Sequence, residues 1–257
     1  MKLAVIVPTK NREVYKTFQK SYLPAYLNKQ GIIAKVFFVE QQDNLLFSRA
    51  AAANAGVLYA LETYNPDYLV FNDVDLVPLN VSYTYNKSAE IWFCNAGGIK
   101  ILTKDFILIN GYNNSFRGWG YEDSELCHRL NTFEVPNVQW NLEAPNGTEM
   151  VDLEMSTLDS RAHSIGYFGG LTNLRFYHPR EVAVTSGVNT IYEKTWLAPT
   201  IKQNNADLCD AIKSLPKPDA LSYFMRHGLN QINTKNITVV SDTDTLAEIS
   251  FNSLTIL

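Results

Sequence analysis

The stretch DYLVFNDVDLVP (67–78) opens as an apolar, partly β-branched run and closes on two aspartates, Asp73 and Asp75. An uninterrupted apolar run of this length is the signature of a strand buried on both faces of a parallel sheet. A strand that ends in acids delivers carboxylates to its C-terminal edge, where ligands bind in open α/β sheets. Residues at i and i+2 on a regular strand point to opposite faces, so the chain must turn between the two aspartates if both are to reach one ion. The following Leu76-Val77-Pro78 is consistent with such a turn at the strand end. Asp-x-Asp at a strand end supplies hard oxygen ligands suited to Mn2+ or Mg2+ on a diphosphate, although a solvated turn explains a bare pair of aspartates equally well.

The same grammar repeats on either side. LAVIVPT (3–9) and KVFFVEQ (35–41) read as buried parallel strands, and between them Tyr15, Phe18, Tyr22, Leu23 and Leu27 recur at helical spacing. SRAAAANAGVLYALETY (48–64) is alanine-rich and strongly helix-prone, and GGIKILTKDFILINGY (97–112) reads as a strand followed by a short helix. A further helix starts at Glu122. Alternating strand and helix predict an α/β fold with a mostly parallel, Rossmann-like sheet flanked by helices. Residues 131–175 have no clean period and read as loops and short strands, and LRFYHPRE (174–181) reads as a strand ending at His178. The C-terminal part predicts a helix near 206–226, then β-prone NITVVS and LAEISF.

Bulk composition narrows the function. The 257 residues are 46% hydrophobic and 19% charged with a net charge of −4, a profile of an ordinary folded chain without a basic stripe, so nucleic acid is not an expected partner. Three cysteines, Cys94, Cys127 and Cys209, lack paired spacing, which predicts neither a disulfide framework nor a zinc site. The first apolar run is six residues and no segment reaches 18, so neither a leader nor a membrane span is expected, and a cytoplasmic location follows as an expectation. On that reading the Asn-x-Ser/Thr sites at Asn80, Asn86, Asn113, Asn146 and Asn236 are chance matches.

GWGYEDSEL (118–126) crowds Glu122, Asp123 and Glu125 behind a tryptophan between glycines. At about 100° per residue, a helix from Glu122 puts Asp123 on the stripe of Leu126, Cys127 and Leu130, while Glu125 pairs at i+4 with Arg129. A surface pair and a helix start account for Glu125. An acid on the apolar stripe calls for more, and a general base in a partly desolvated cleft is one reason. Trp119 offers a flat face for a sugar ring. Lys10 and Arg12 follow the first strand, and Phe47 and Arg49 open the alanine-rich helix, so three loops bring cations, an aromatic ring and carboxylates to one sheet edge, an arrangement suited to a nucleotide diphosphate.

VPTKNRE (7–13), FSRA (47–50), FNDVDLVP (71–78) and GGIKILTKDFILINGYNNSFRGWGYEDSEL (97–126), in that order, closely resemble the β-1,4-galactosyltransferase family from residue 4 to about 130, with GLNQINTKNITVV (228–240) a weaker echo of its C-terminal end. The resemblance implies a GT-A fold in a single domain: a nucleotide-binding half over 1–80, an acceptor and catalytic half over 81–200, and a C-terminal extension over 201–257 packing on the core. It also implies inverting transfer of galactose or N-acetylgalactosamine from a UDP-sugar (UDP-Gal or UDP-GalNAc) to a hydroxyl of an oligosaccharide or other glycan acceptor. By position, Pro8, Lys10, Arg12, Phe47, Arg49, Asp73, Val74 and Gly98 would surround the donor nucleotide, with Asp73, Asp75 and His178 around Mn2+. Trp119 would lie between donor and acceptor, Glu122 on the acceptor, and Asp123 would be the base. Three positions depart from the family pattern: Ser124 replaces a third acid, Asn95 replaces an aromatic residue thought to limit the donor, and His163 competes with His178 as the metal ligand. A sugar nucleotidyltransferase is the rival enzyme, although PTKNRE has no glycine for a triphosphate loop, and a silent sugar-binding module is the rival outside catalysis.

Overall fold

The structure, a computed structural model, describes residues 1–85, 90–92, 98–118, 120–135, 139–141, 150–152 and 204–253. The first half runs β1 (Leu3–Thr9), α1 (Glu13–Lys29), β2 (Ala34–Gln41), α2 (Arg49–Thr63) and β3 (Tyr68–Asn72). Strand β1 pairs in parallel with β2 on one side and β3 on the other. The chain therefore winds outward from β1 through α1 and crosses back over it through α2. That reversal opens a crevice at the C-terminal ends of β1 and β3.

Period-2 alternation explains why the two helices lie on opposite faces. Leu3, Val5, Val7, Val36, Phe38 and Val70 face Leu23 and Leu27 of α1. Ala4, Ile6, Phe37, Val39, Leu69 and Phe71 face the alanine-rich side of α2. Alanines let α2 settle close to the sheet, and Gly56 is the tightest point: a Cβ there would stand 2.7 Å from Val39 Cγ2 and 2.8 Å from Ile6 Cγ2. Both methyls belong to stiff β-branched side chains. Gly56→Ala is therefore expected to destabilise by about 1–2 kcal/mol net, overpacking outweighing the better helix propensity of alanine, as a urea unfolding curve would read.

In α1 the helical spacing is right but the face is mixed. Leu23 and Leu27 are buried as expected, whereas Phe18 is 43% exposed and the other buried positions are Lys16 and Gln19. Phe18, Tyr22 and Tyr26 stack along the flank of the helix. There the Tyr22 hydroxyl donates to the Pro78 carbonyl, Tyr26 to Val81, and the Gln19 amide to Leu76.

The remaining elements are β4 (Leu76–Pro78), β5 (Glu90–Trp92), β6 (Gly98–Leu102), α3 (Thr103–Leu108), α4 (Glu122–Thr132), β7 (Gln139–Asn141), β8 (Met150–Asp152), α5 (204–213), α6 (Lys217–Arg226), β9 (Ile237–Asp242) and β10 (Leu246–Phe251). The main sheet has the order β7-β5-β6-β3-β1-β2-β10-β9. Its centre, β3-β1-β2-β10, is parallel, while β6 and β9 are added antiparallel.

Two expectations are corrected. Leu76-Val77-Pro78 is not the turn but strand β4, which pairs with β8 in a second small sheet. The turn is Asp73-Val74-Asp75 itself, closed by the Leu76 N–H on the Asp73 carbonyl at 3.0 Å. The helix expected near 206–226 is two helices, broken at Leu215-Pro216, because proline disfavours the helical conformation in the residue before it and offers no N–H of its own.

Candidate active site

The crevice is built by loops that bind one another. At the end of β1, Glu40 accepts from the Thr9 hydroxyl at 3.0 Å and from the Asn11 N–H at 2.8 Å, fixing a loop in which Asn11 has φ 56°. Lys10 reaches across to the carbonyls of Asp43 and Leu45, and the Arg12 guanidinium lies over the Tyr15 ring. Burial alone would raise the Asp43 carboxyl. Hydrogen bonds from Ser253, Gln41 and Leu45 outweigh it and hold that group below its usual value, tying this loop to the C-terminal end of the chain. Pro8 lies within buried β1. Phe47 packs partly buried against the core, and its carbonyl accepts the Gly118 N–H at 2.8 Å.

Beside this loop, the Asp73–Asp75 turn hangs from a buried bracket that sequence reading missed. The Asn72 amide donates to the carbonyls of Asp73, at 2.8 Å, and Leu76, at 2.9 Å, and its own oxygen accepts from the Tyr83 hydroxyl. Asn72 and Tyr83 are both fully buried. Val74 is buried in the turn, and Gly98 stands opposite Asn72 at the start of β6.

Helix α2 starts at this edge. Ser48 caps it, accepting from the Ala51 N–H while donating to the Phe116 carbonyl at 2.9 Å. The next residue, Arg49, is buried, and its Nε donates to Asp73 at 2.5 Å while Nη1 donates to Asp123 at 2.9 Å and to the Tyr112 hydroxyl at 3.3 Å. One guanidinium thus joins the aspartate turn after β3 to the acidic start of α4, elements 50 residues apart in sequence.

The loop into α4 is strained. Gly118, Gly120 and Tyr121 all have left-handed backbones, with φ 77°, 100° and 73°. A Cβ at Gly120 would touch nothing within 4 Å, so conformation and not space calls for glycine there. Tyr121 bears the usual cost of about 1–2 kcal/mol for a side chain in that region. Glu122 is buried, and the neighbouring backbone N–H groups of Gly120 and of Glu122 itself favour its charged form. Asp123 keeps 16% of its side chain exposed.

Among the described residues, charge in this centre is unbalanced, with the guanidinium of Arg49 against Asp73, Glu122 and Asp123. Burial pushes the Asp123 carboxyl well above the ordinary range; Arg49 pulls it back, and Glu122 and Asp73 push it further up. Burial raises Glu122 likewise. Burial opposes the charge on Arg49, but Asp123 and Asp73 outweigh that and raise its pKa well above normal.

The pair expected on the surface is in fact in the core. Glu125 and Arg129 are 0% and 1% exposed, and the guanidinium donates to both carboxylate oxygens, at 2.7 and 2.6 Å, and to the carbonyls of Ile109 and Gly111. Asparagines complete this seam: Asn54 of α2 bonds Tyr112 and Asn114, Asn114 bonds the Gly228 carbonyl, and Asn110 accepts from the Leu229 N–H. The segment around Gly228 therefore packs directly behind the 110–118 segment. These asparagines were missed because an asparagine in a helix or loop has no periodic signature.

Trp119, Asn95, His163 and His178 lie outside the described residues. Among the described residues no three acid, histidine or cysteine side chains gather as a metal cluster, and no helix is long and apolar enough to cross a membrane.

Two family models match the chain, the N-terminal region of glycosyl transferase group 7 over residues 1–88 and the N-terminal domain of galactosyltransferase over residues 80–146. Bovine β-1,4-galactosyltransferase 1 is 31% identical over 145 residues, 50% of this chain and 36% of that enzyme. Drosophila β-1,4-galactosyltransferase 7 is 30% identical over 145 residues, 50% of this chain and 44% of that enzyme. The chain thus spans less than half the length of these relatives. The catalytic domain of the Drosophila enzyme, solved with xylobiose, superposes with a TM-score of 0.60 over 98% of this chain and 92% of that one at 18% identity. A mutant of it solved with manganese, UDP-Gal and xylobiose gives a TM-score of 0.53 at 25% identity, over 59% of this chain and 70% of that one. The fold is GT-A. Two family models that together run from residue 1 to 146, over a sheet and loops that assemble into one centre, place this chain in glycosyl transferase group 7, the family of the β-1,4-galactosyltransferases.

Proposed function

We propose that this protein is an inverting transferase that moves galactose, or N-acetylgalactosamine, from a UDP-sugar to a hydroxyl of a glycan acceptor. The observation that carries the reading is Arg49, whose one buried guanidinium holds both Asp73 of the donor-side turn and Asp123 of the acceptor-side helix. The donor belongs in the crevice between β1 and β3, bordered by Pro8, Lys10, Arg12, Phe47 and Gly98, with the nucleotide-binding half over 1–80 and the acceptor half over 81–200.

Asp73 and Asp75 suit a divalent cation by their hard oxygens and by the negative excess of the centre, with His178 as a further candidate ligand. Manganese or magnesium bound there would neutralise charge on the departing UDP. The chain itself performs the proton step. The Asp123 carboxylate takes the proton of the acceptor hydroxyl as that oxygen attacks the anomeric carbon from the face opposite UDP, which inverts the configuration. A base raised toward the working pH is better matched to that task than an ordinary carboxylate. Arg49 holds Asp123 in place; Glu122 and Trp119 would border the acceptor, and Asn95, a smaller residue than the family's aromatic one, would admit an N-acetyl group.

The test is UDP release from UDP-Gal, UDP-GalNAc and UDP-Glc over an acceptor panel, with Mn2+ and after chelation. Metal-dependent release is expected. UDP binding without turnover on any acceptor would instead identify a binding module. Because its folded pKa is raised, Asp123 regains a proton as pH falls before an unperturbed carboxylate would. The acid limb of kcat/KM is therefore expected to lie above the usual carboxylate range, and a limb within that range would remove Asp123 as the base.

A further inference from the structure

The C-terminal region places one polar side chain against the acidic loop. Asn205, in the first turn of α5, is 6% exposed, and its amide nitrogen donates to the Arg117 carbonyl at 3.1 Å and to the Gly120 carbonyl at 3.0 Å. Two diverging protons on one planar amide thus span both ends of the segment whose backbone is left-handed at Gly118, Gly120 and Tyr121. Helix α4 begins there without a side-chain cap on its first turn from Tyr121. The Gly120 carbonyl is therefore held from outside the loop by Asn205.

We propose that Asn205 is a positioning residue for sugar transfer: by bracing the carbonyls of residues 117 and 120 it sets the direction in which α4 presents Asp123 to the acceptor. This rests on the transferase reading above. The chemistry that requires it is geometric, since a left-handed turn has competing conformations in water and a base must stand within hydrogen-bond reach of the hydroxyl it deprotonates. The donor side has its own supports, in Glu40 for the loop after β1 and Asn72 for the aspartate turn, so loss of Asn205 separates the two halves of the site.

The experiment uses the full chain with Asn205→Asp, which keeps the shape but turns two donors into an acceptor facing two carbonyls, and Asn205→Ala, which removes the side chain. Amide exchange is expected to rise at Gly118 and Gly120–Asp123 with the β1 amides unchanged. Turnover at saturating donor is expected to fall about 10- to 100-fold, the usual penalty for a small misplacement, while affinity for UDP stays within about twofold. Unchanged exchange in that loop, or UDP affinity falling in step with turnover, would overturn the assignment. If the unmodified protein releases no UDP from any donor, the transferase reading fails by itself and the proposal fails with it, while the exchange measurement still decides whether Asn205 braces the loop.

Discussion

Asp123→Asn is expected to bind UDP as the parent does and to turn over about 10²- to 10⁴-fold more slowly, the usual contribution of a positioned general base. Asparagine has the same shape, and its side-chain oxygen still accepts from Arg49 Nη1, so the bridge between Asp73 and α4 survives while the group loses its basicity. The substitution also removes one of the three carboxylates crowded around the buried Arg49 guanidinium among the described residues. Stability is therefore expected to be unchanged or to rise, as is common where function maintains a strained arrangement. UDP release read beside a thermal melt separates these effects. Turnover within about tenfold of the parent would rule Asp123 out as the base.

The largest effect on stability is expected away from the chemistry, at Arg129→Met. Methionine fills similar volume but strips the Glu125 carboxylate of its partner at 0% exposure and leaves the carbonyls of Ile109 and Gly111 without their donor. Breaking a buried pair from one side typically costs about 3–5 kcal/mol, far more than the few tenths of an exposed i,i+4 pair. Adding Glu125→Leu is expected to recover only part of the loss, because the two carbonyls stay unsatisfied. Urea unfolding of both variants measures this, and a loss for Arg129→Met below about 1 kcal/mol would mean that the pair is solvated after all.

The contrast between these two residues explains what a linear reading can reach. The helical repeat puts Asp123 on the side of Leu126, Cys127 and Leu130, which are buried, while Asp123 itself keeps 16% of its side chain exposed. The same repeat paired Glu125 with Arg129 but called the pair a surface one. Burial of that flank is supplied by the 109–111 segment and by α5 and α6, whose position no local pattern encodes. In the same way nothing local marks Leu76-Val77-Pro78 as a strand, since its partner β8 is more than 70 residues downstream.

The alternation of strands and helices, their approximate bounds and the delivery of Asp73 and Asp75 to a strand end are legible in the linear order of residues, since apolar periodicity and propensity act over a few residues. The ordered motifs pointed to the family on the same local footing. Packing between distant segments is what brings β10 into the parallel centre beside β2, ties Asp73 to Asp123 through Arg49, and sets Asn72, Tyr83 and Asn205 against the loops of the site. These are hydrogen bonds and ion pairs between segments far apart in the chain. Their partners are fixed by how helices and strands pack, and a single polar residue carries no periodicity that would announce them.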